Sequence, residues 1–148
     1  FNFPGICLSW CVCTNLDIRK KLQSYMAAQA HHPNALAYTA TATAIDEGGP
    51  WHLELIQYLR GNRDLIRDWL SHHDQVTWKN SEATYLAWLD LSSQGLGEDP
   101  AARILEKGKV ALNGGVLYGP KHKSFVRLNF GTSPQLITEG IDRIAKSL

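Results

Sequence analysis

The stretch from Phe125 to Pro134, FVRLNFGTSP, sets an arginine in the middle of a segment that alternates like a strand. Successive side chains of a strand point to opposite faces, so Val126, Leu128 and Phe130 share one face and Phe125, Arg127 and Asn129 the other. The first set is apolar and reads as core. The second presents a guanidinium beside an amide. Two readings of Arg127 stand on residues alone: an internal salt bridge to an acidic neighbour, or a clamp for a planar anion.

A closing helix comes after the strand. Ser133 is suited to cap it and Pro134 to its first position, and Leu136, Ile137, Ile141, Ile144 and Leu148 form its apolar stripe. Upstream, KVALNGG and VLYG read as short strand pieces around a glycine turn. Lys121, His122 and Lys123 read as a solvated hairpin tip, with a binding role as the alternative. DPAARILEKG (99–108) reads as a helix with Asp99 as N-cap and Pro100 in the first turn. QVTW and TYLAWLDL read as strands. From Val76 onward the pattern predicts an α+β layer, with helices packed on a small sheet.

The long helix before it covers 51–70, WHLELIQYLRGNRDLIRDWL, with Trp51, Leu55, Leu59, Ile66 and Trp69 or Leu70 on one stripe. Such a helix reaches ~30 Å and can either bridge two lobes or serve as an ordinary core helix. Gly61 inside it costs about 1 kcal/mol relative to alanine, which predicts a local packing or bending reason. His72 and His73 in SHHD could form an acid/base pair, or serve the negative end of the helix dipole. Further upstream, ALAYTATATAIDE (35–47) predicts a helix whose small residues pack closely on another backbone. HHPN separates it from a helix that Asn15 or Asp17 opens and that runs to about Gln29, with Leu22, Tyr25 and Met26 on its apolar side.

CLSWCVC (7–13) reads as a buried strand, its cysteines and Ser9 alternating with Leu8, Trp10 and Val12. A metal site built from Cys7, Cys11 and Cys13 with His31–His32 and His72–His73 is the alternative. C-x-x-x-C-x-C is not a usual zinc spacing and no second sulfur pair follows, so no metal is expected. Three cysteines without a leader-like start predict reduced thiols and a cytoplasmic setting.

The chain has 148 residues, 44% hydrophobic and 20% charged, with a net charge of +1. This ordinary, balanced composition points to neither nucleic acid nor a membrane surface, and no apolar run is long enough for a bilayer. There is no G-x-S-x-G elbow, no H-E-x-x-H and no Walker lysine after a glycine loop. FNFPGI opens abruptly on structured-looking sequence, as at a cut in a longer chain.

Six segments occur in order: FNFPGI, HHPNALAYTATATAIDEGGPW, YLRGNRDLI, EATYLAWLD, KVALNGGVLYG and FVRLNFGTS. Together they resemble the C-terminal part of a pyridoxal-phosphate enzyme of the class I/II aminotransferase fold. The resemblance is to the cystathionine β-lyase, or β C–S lyase, branch in particular. It covers essentially the whole chain.

The resemblance implies a C-terminal portion of transferase fold type I, α/β in the tail of a large cofactor domain (1–49) and α+β in the interdomain helix and small domain (50–148). It implies a cofactor lysine immediately upstream of Phe1, so that no catalytic residue lies in this chain and the chain alone is inactive. It implies that Arg127 grips the α-carboxylate of an amino-acid substrate, with Asn129 in support or merely hydrogen-bonding at the strand edge. Tyr38 and Thr39 would lie near the cofactor phosphate at a homodimer interface, or simply pack there. The implied activity is a β C–S lyase acting on sulfur amino acids, with an aminotransferase of the same fold as the alternative. A non-catalytic binding or dimerisation domain, with its own start codon at Phe1, is the alternative of another class.

Overall fold

The computed structural model describes residues 1–2, 4–29 and 34–148. Phe3, His31 and His32 lie outside the described residues, and with them all of the HHPN break but Asn34 and two of the seven ligands of the metal alternative. The chain divides into two compact units, Phe1–Glu54 and Leu55–Leu148.

The first unit is helical. A 3-10 turn over Pro4–Ile6 precedes α1 (Leu16–Ala28) and α2 (Ala35–Glu47). Both helices start on asparagine: the Asn15 side chain accepts from the N–H groups of Asp17 and Ile18, each at 3.0 Å, and Asn34 accepts from Ala37 at 2.7 Å. Each cap thus satisfies donors that a helix cannot pair internally. Of this unit's described hydrophobic side chains, only Ala37 and Ala44 are buried.

Residues 7–13 do not form the expected strand. Trp10 and Val12 are exposed, Val12 at 83%, and so are Cys7 and Cys11. Alternation marks a segment able to pair on two faces, but a strand exists only beside a partner. Among the described residues no strand pairs with this segment. The expected apolar side of α1 is likewise exposed at Tyr25 and Met26.

The third helix, α3 (Gly49–Ser71), runs through the division between the units. Its second half supplies Ile66 and Trp69 to the core of the second unit, with Leu59 and Leu65 packed at the margin. A Cβ at Gly61 would meet nothing within 4 Å, so no packing reason holds glycine there. His72 and His73 close the helix. Their Nδ1 atoms lie 3.0 Å from the Asp68 carbonyl and 2.8 Å from that of Trp69. A carbonyl only accepts, so a proton on Nδ1 of either ring would cap the open end of the helix; the Ser71 hydroxyl also lies 3.1 Å from His72 Nδ1.

The second unit is a three-stranded antiparallel sheet in the order β1-β3-β2, formed by β1 (Leu86–Asp90), β2 (Asn113–Gly114) and β3 (Phe125–Asn129). Ala87, Leu89, Val126 and Leu128 line its inner face. They form one core with α3, with Ala101 and Ile104 of α4 (Pro100–Gly108), and with Ile137, Ile141 and Ile144 of α5 (Pro134–Ala145). Asp99 and Ser133 cap the last two helices as their positions predict, each with proline behind it. Leu136, expected on the α5 stripe, is exposed instead.

Two expected strands shrink. QVTW contributes a single bridge, Thr77 to Asp90, because the chain touches the sheet edge and turns away. VLYG forms a 3-10 turn over Gly115–Tyr118, followed by another over Pro120–His122. Gly115 permits the first turn: a Cβ there would run into the carbonyl of His122. Gly119, at φ +123°, permits the join between the two turns in a backbone region that other residues seldom enter. Lys121, His122 and Lys123 are therefore no hairpin tip. The His122 ring packs against Trp88 and Phe125, and Lys123 pairs with Glu98 at 2.6 Å.

Candidate functional site

Register, rather than proximity in sequence, builds the surroundings of Arg127. On the central strand it stands opposite Trp88 of β1 on one side and Asn113 of β2 on the other. Directly opposed residues of an antiparallel pair share a face. The outer face of the sheet therefore carries Trp88, Asn113, Phe125 and Arg127 together.

An aromatic group covers part of this face. Trp88 stacks on Phe125 with ring centroids 5.5 Å apart, and meets Tyr118 edge-on at 5.1 Å and His122 at 5.8 Å. Arg127 reaches along its rim. Its Cζ lies 5.4 Å from the centroid of the Tyr118 ring, and its Nη2 donates to Asn113 Oδ1 at 2.8 Å. Among the described residues it forms no ion pair; the four present join Arg63 and Arg67 to Asp64, Lys123 to Glu98, and Arg143 to Glu139. Arg127 is half-buried as a residue, and its guanidinium has a neutral amide as partner in an exposed hydrogen bond.

Asn129 lies on the same strand face, but its Oδ1 accepts from the N–H of Gly131 at 2.8 Å, which turns the chain out of β3. It is not among the hydrogen-bond partners of Arg127. Tyr38 and Thr39 succeed one another on α2 in the first unit, both exposed. Their hydroxyls are of the type that donates to phosphate oxygens. Among the described residues, no group of three or more His, Cys, Asp or Glu side chains is placed to hold a metal ion. No described helix is long and apolar enough to cross a membrane.

Three residues with a part in this arrangement escaped the sequence reading. Asn113 and Tyr118 depend on the register of a two-residue strand and on a turn whose sequence reads as a strand. The third is Asn62, 1% exposed, whose Nδ2 donates to the carbonyls of Phe130 at 2.9 Å and Thr132 at 2.7 Å. It ties α3 to the segment between β3 and α5. Its signal was present: Leu55, Leu59, Asn62, Ile66 and Trp69 keep helical spacing, and one of the five is polar.

The described helices and small antiparallel sheet match part of the fold of the fold-type I pyridoxal-phosphate enzymes, a class that includes aminotransferases and C–S lyases. The chain superposes over its full length on the crystal structure of OvoB with a TM-score of 0.90 at 32% identity, covering 38% of that chain. Over 99% of its length it matches cystalysin from Treponema denticola, whose crystal structure contains a pyridoxal 5'-phosphate cofactor. There the TM-score is 0.84 at 26% identity, over 38% of that chain.

The chain is similar to the cystathionine β-lyases and MalY, a partial match that covers their C-terminal portion. It is 41% identical over 117 residues to the cystathionine β-lyase PatB of Bacillus subtilis, across 78% of this chain and 30% of that protein. The chain thus spans about a third of the length of its relatives. No protein-family model matches it.

Proposed function

We propose that this chain is the C-terminal part of a pyridoxal-phosphate-dependent β C–S lyase acting on sulfur amino acids, in which Arg127 binds the substrate's α-carboxylate. The observation that carries the reading is the state of that guanidinium. It sits on the central strand with an amide for a partner and no ion pair among the described residues, so its charge is uncompensated. A carboxylate supplies what is missing, through two parallel charge-assisted hydrogen bonds that fix orientation as well as charge. Orientation matters because one particular bond at Cα has to be aligned before its proton can leave.

In this reading 1–49 is the tail of the large cofactor domain and 50–148 holds the interdomain helix and the small domain. The lysine that carries the cofactor directly precedes Phe1, and the protein is a cytoplasmic homodimer. Tyr38 and Thr39 fit the cofactor's phosphate as hydroxyl donors. When bound, the cofactor supplies the sink for the electrons released at Cα. The overall change balances as cystathionine and water giving homocysteine, pyruvate and ammonia. Residues 7–13, exposed in this chain except for the half-buried Leu8 and Cys13, are a strand of the large domain whose partners belong to the rest of that domain.

Kinetics of the full enzyme with cystathionine, with and without a keto-acid acceptor, test the reading. Acceptor-independent pyruvate release supports the lyase, and amino transfer that requires the acceptor supports an aminotransferase instead. Arg127→Ala is expected to lower kcat/KM roughly 30- to 4,000-fold, from the ~2–5 kcal/mol lost when one partner of a buried charge pair is removed. Cofactor content should stay unchanged. Loss of cofactor with the arginine would show Arg127 to be structural. Turnover by residues 1–148 alone would contradict the position given to the lysine, and a start codon directly before Phe1 would favour a non-catalytic domain.

A further inference from the structure

Arg127 is held by two neighbours from the KVALNGGVLYG segment, Asn113 and Tyr118, and their chemistry is specific. Nη2 carries two hydrogens, and each belongs to a different two-donor edge of the guanidinium: one edge is shared with Nη1, the other with Nε. The 2.8 Å bond to Asn113 Oδ1 occupies one of these hydrogens. One complete edge is left for a carboxylate and the other is closed. Asn113 is fixed for this by strand pairing, directly opposite Arg127. The Tyr118 ring, 5.4 Å from Cζ, adds a π face to which a cation is attracted. Gly115 allows the turn that brings Tyr118 there.

We propose that Asn113 and Tyr118 are positioning residues for Arg127, the amide choosing which edge of the guanidinium faces the substrate carboxylate while leaving its positive charge whole. The inference rests on the reading of Arg127 as the carboxylate clamp. It explains why an amide, rather than a carboxylate of the same size, suits position 113. An aspartate would make the same hydrogen bond, but it would neutralise the charge that the substrate needs and compete for the same donors.

The test is steady-state kinetics of the full-length holoenzyme with cystathionine, with cofactor absorbance and far-UV circular dichroism recorded for each variant. Asn113→Ala is expected to raise KM roughly 5- to 10-fold, the size of one lost hydrogen bond, with kcat and cofactor content unchanged. Asn113→Asp should raise KM further than Asn113→Ala. Tyr118→Phe should behave as the parent, whereas Tyr118→Leu should raise KM about 2- to 5-fold, the size of an exposed cation–π contact. Equal KM values for the Ala and Asp variants would overturn the charge argument, and unchanged KM in both would overturn the positioning role. Arg127→Ala separates the two levels. If it raises KM while the Asn113 variants do not, the clamp stands and its positioning falls; if it leaves KM unchanged, the clamp itself is wrong and the inference goes with it.

Discussion

Asn62, in the middle of a helix, donates to the carbonyl of Thr132 at 2.7 Å across a sequence separation of seventy residues. The second hydrogen of the same nitrogen goes to Phe130, so one amide serves both carbonyls of the turn that leads from β3 into α5. Asn62→Ala strands two acceptors. It should destabilise the protein by about 1–3 kcal/mol, the cost of one unsatisfied buried acceptor, because the bond to Phe130 is buried and that to Thr132 only partly so. Asn62→Asp should cost more, because a carboxylate would face two carbonyl oxygens. Urea unfolding midpoints of the three proteins decide it. Equal midpoints for parent and alanine variant would mean that water serves these carbonyls equally well.

Gly61, the neighbouring position, should respond in the opposite direction. It lies in the interior of α3, exposed, with open space where a Cβ would stand. Gly61→Ala should raise stability by up to about 1 kcal/mol, the difference in helix propensity. A lowered melting temperature would reveal a contact at this site that the chain itself does not show.

Gly115 is constrained from the other side. Besides the clash with His122, a Cβ there would lie 2.8 Å from the Phe125 carbonyl oxygen. Gly115→Ala should cost ~1–3 kcal/mol through backbone displacement. It should also flatten the near-ultraviolet circular dichroism signal of the Trp88, Tyr118 and Phe125 group. Preserved near-ultraviolet signal with full stability would mean that the turn can yield without moving the rings.

Glu98 offers a check in acid. The hydrogen bond from Lys123 holds its carboxyl below the usual carboxylate range. A carboxylate with a lowered folded-state pKa contributes stability above its unfolded value, and that contribution is lost as pH falls through the folded value. Lys123→Met should move the Glu98 titration upward to the ordinary range in a carbon-detected NMR experiment, and should flatten the acid limb of the stability curve slightly. The pair is exposed, so the change in stability should be small. A Glu98 titration indifferent to Lys123 would show that the pair does not persist in solution.

Legibility in the sequence divides along a physical line. The helix starts were legible because an N-cap is a local event, written in one residue and its next three, as at Asp99–Pro100 and Ser133–Pro134. The face of β3 was legible because alternation fixes it without a partner. Residues 7–13 and 116–119 alternate or run apolar just as convincingly, yet their state depends on what lies alongside or on a turn closed by one missing Cβ. The surroundings of Arg127 fall in the same class. Arg127 itself stood out as a charge in a strand, whereas Asn113 gains its meaning only from a two-residue pairing. Asn62 was hidden in plain view, a polar residue on an apolar stripe.

The scarcity of buried side chains in Phe1–Glu54 has a kinetic meaning. Among its described residues two buried alanines give this unit little to hold its helices shut, while fourteen buried side chains interlock in the other. Opening free energies track such differences, from near zero up to the global value. In this chain by itself, amide hydrogens of α1 and α2 would exchange with deuterated solvent early and those of β3 and α5 late. The boundary between fast and slow would fall within the single helix α3, so that one continuous ladder of hydrogen bonds would display two clocks.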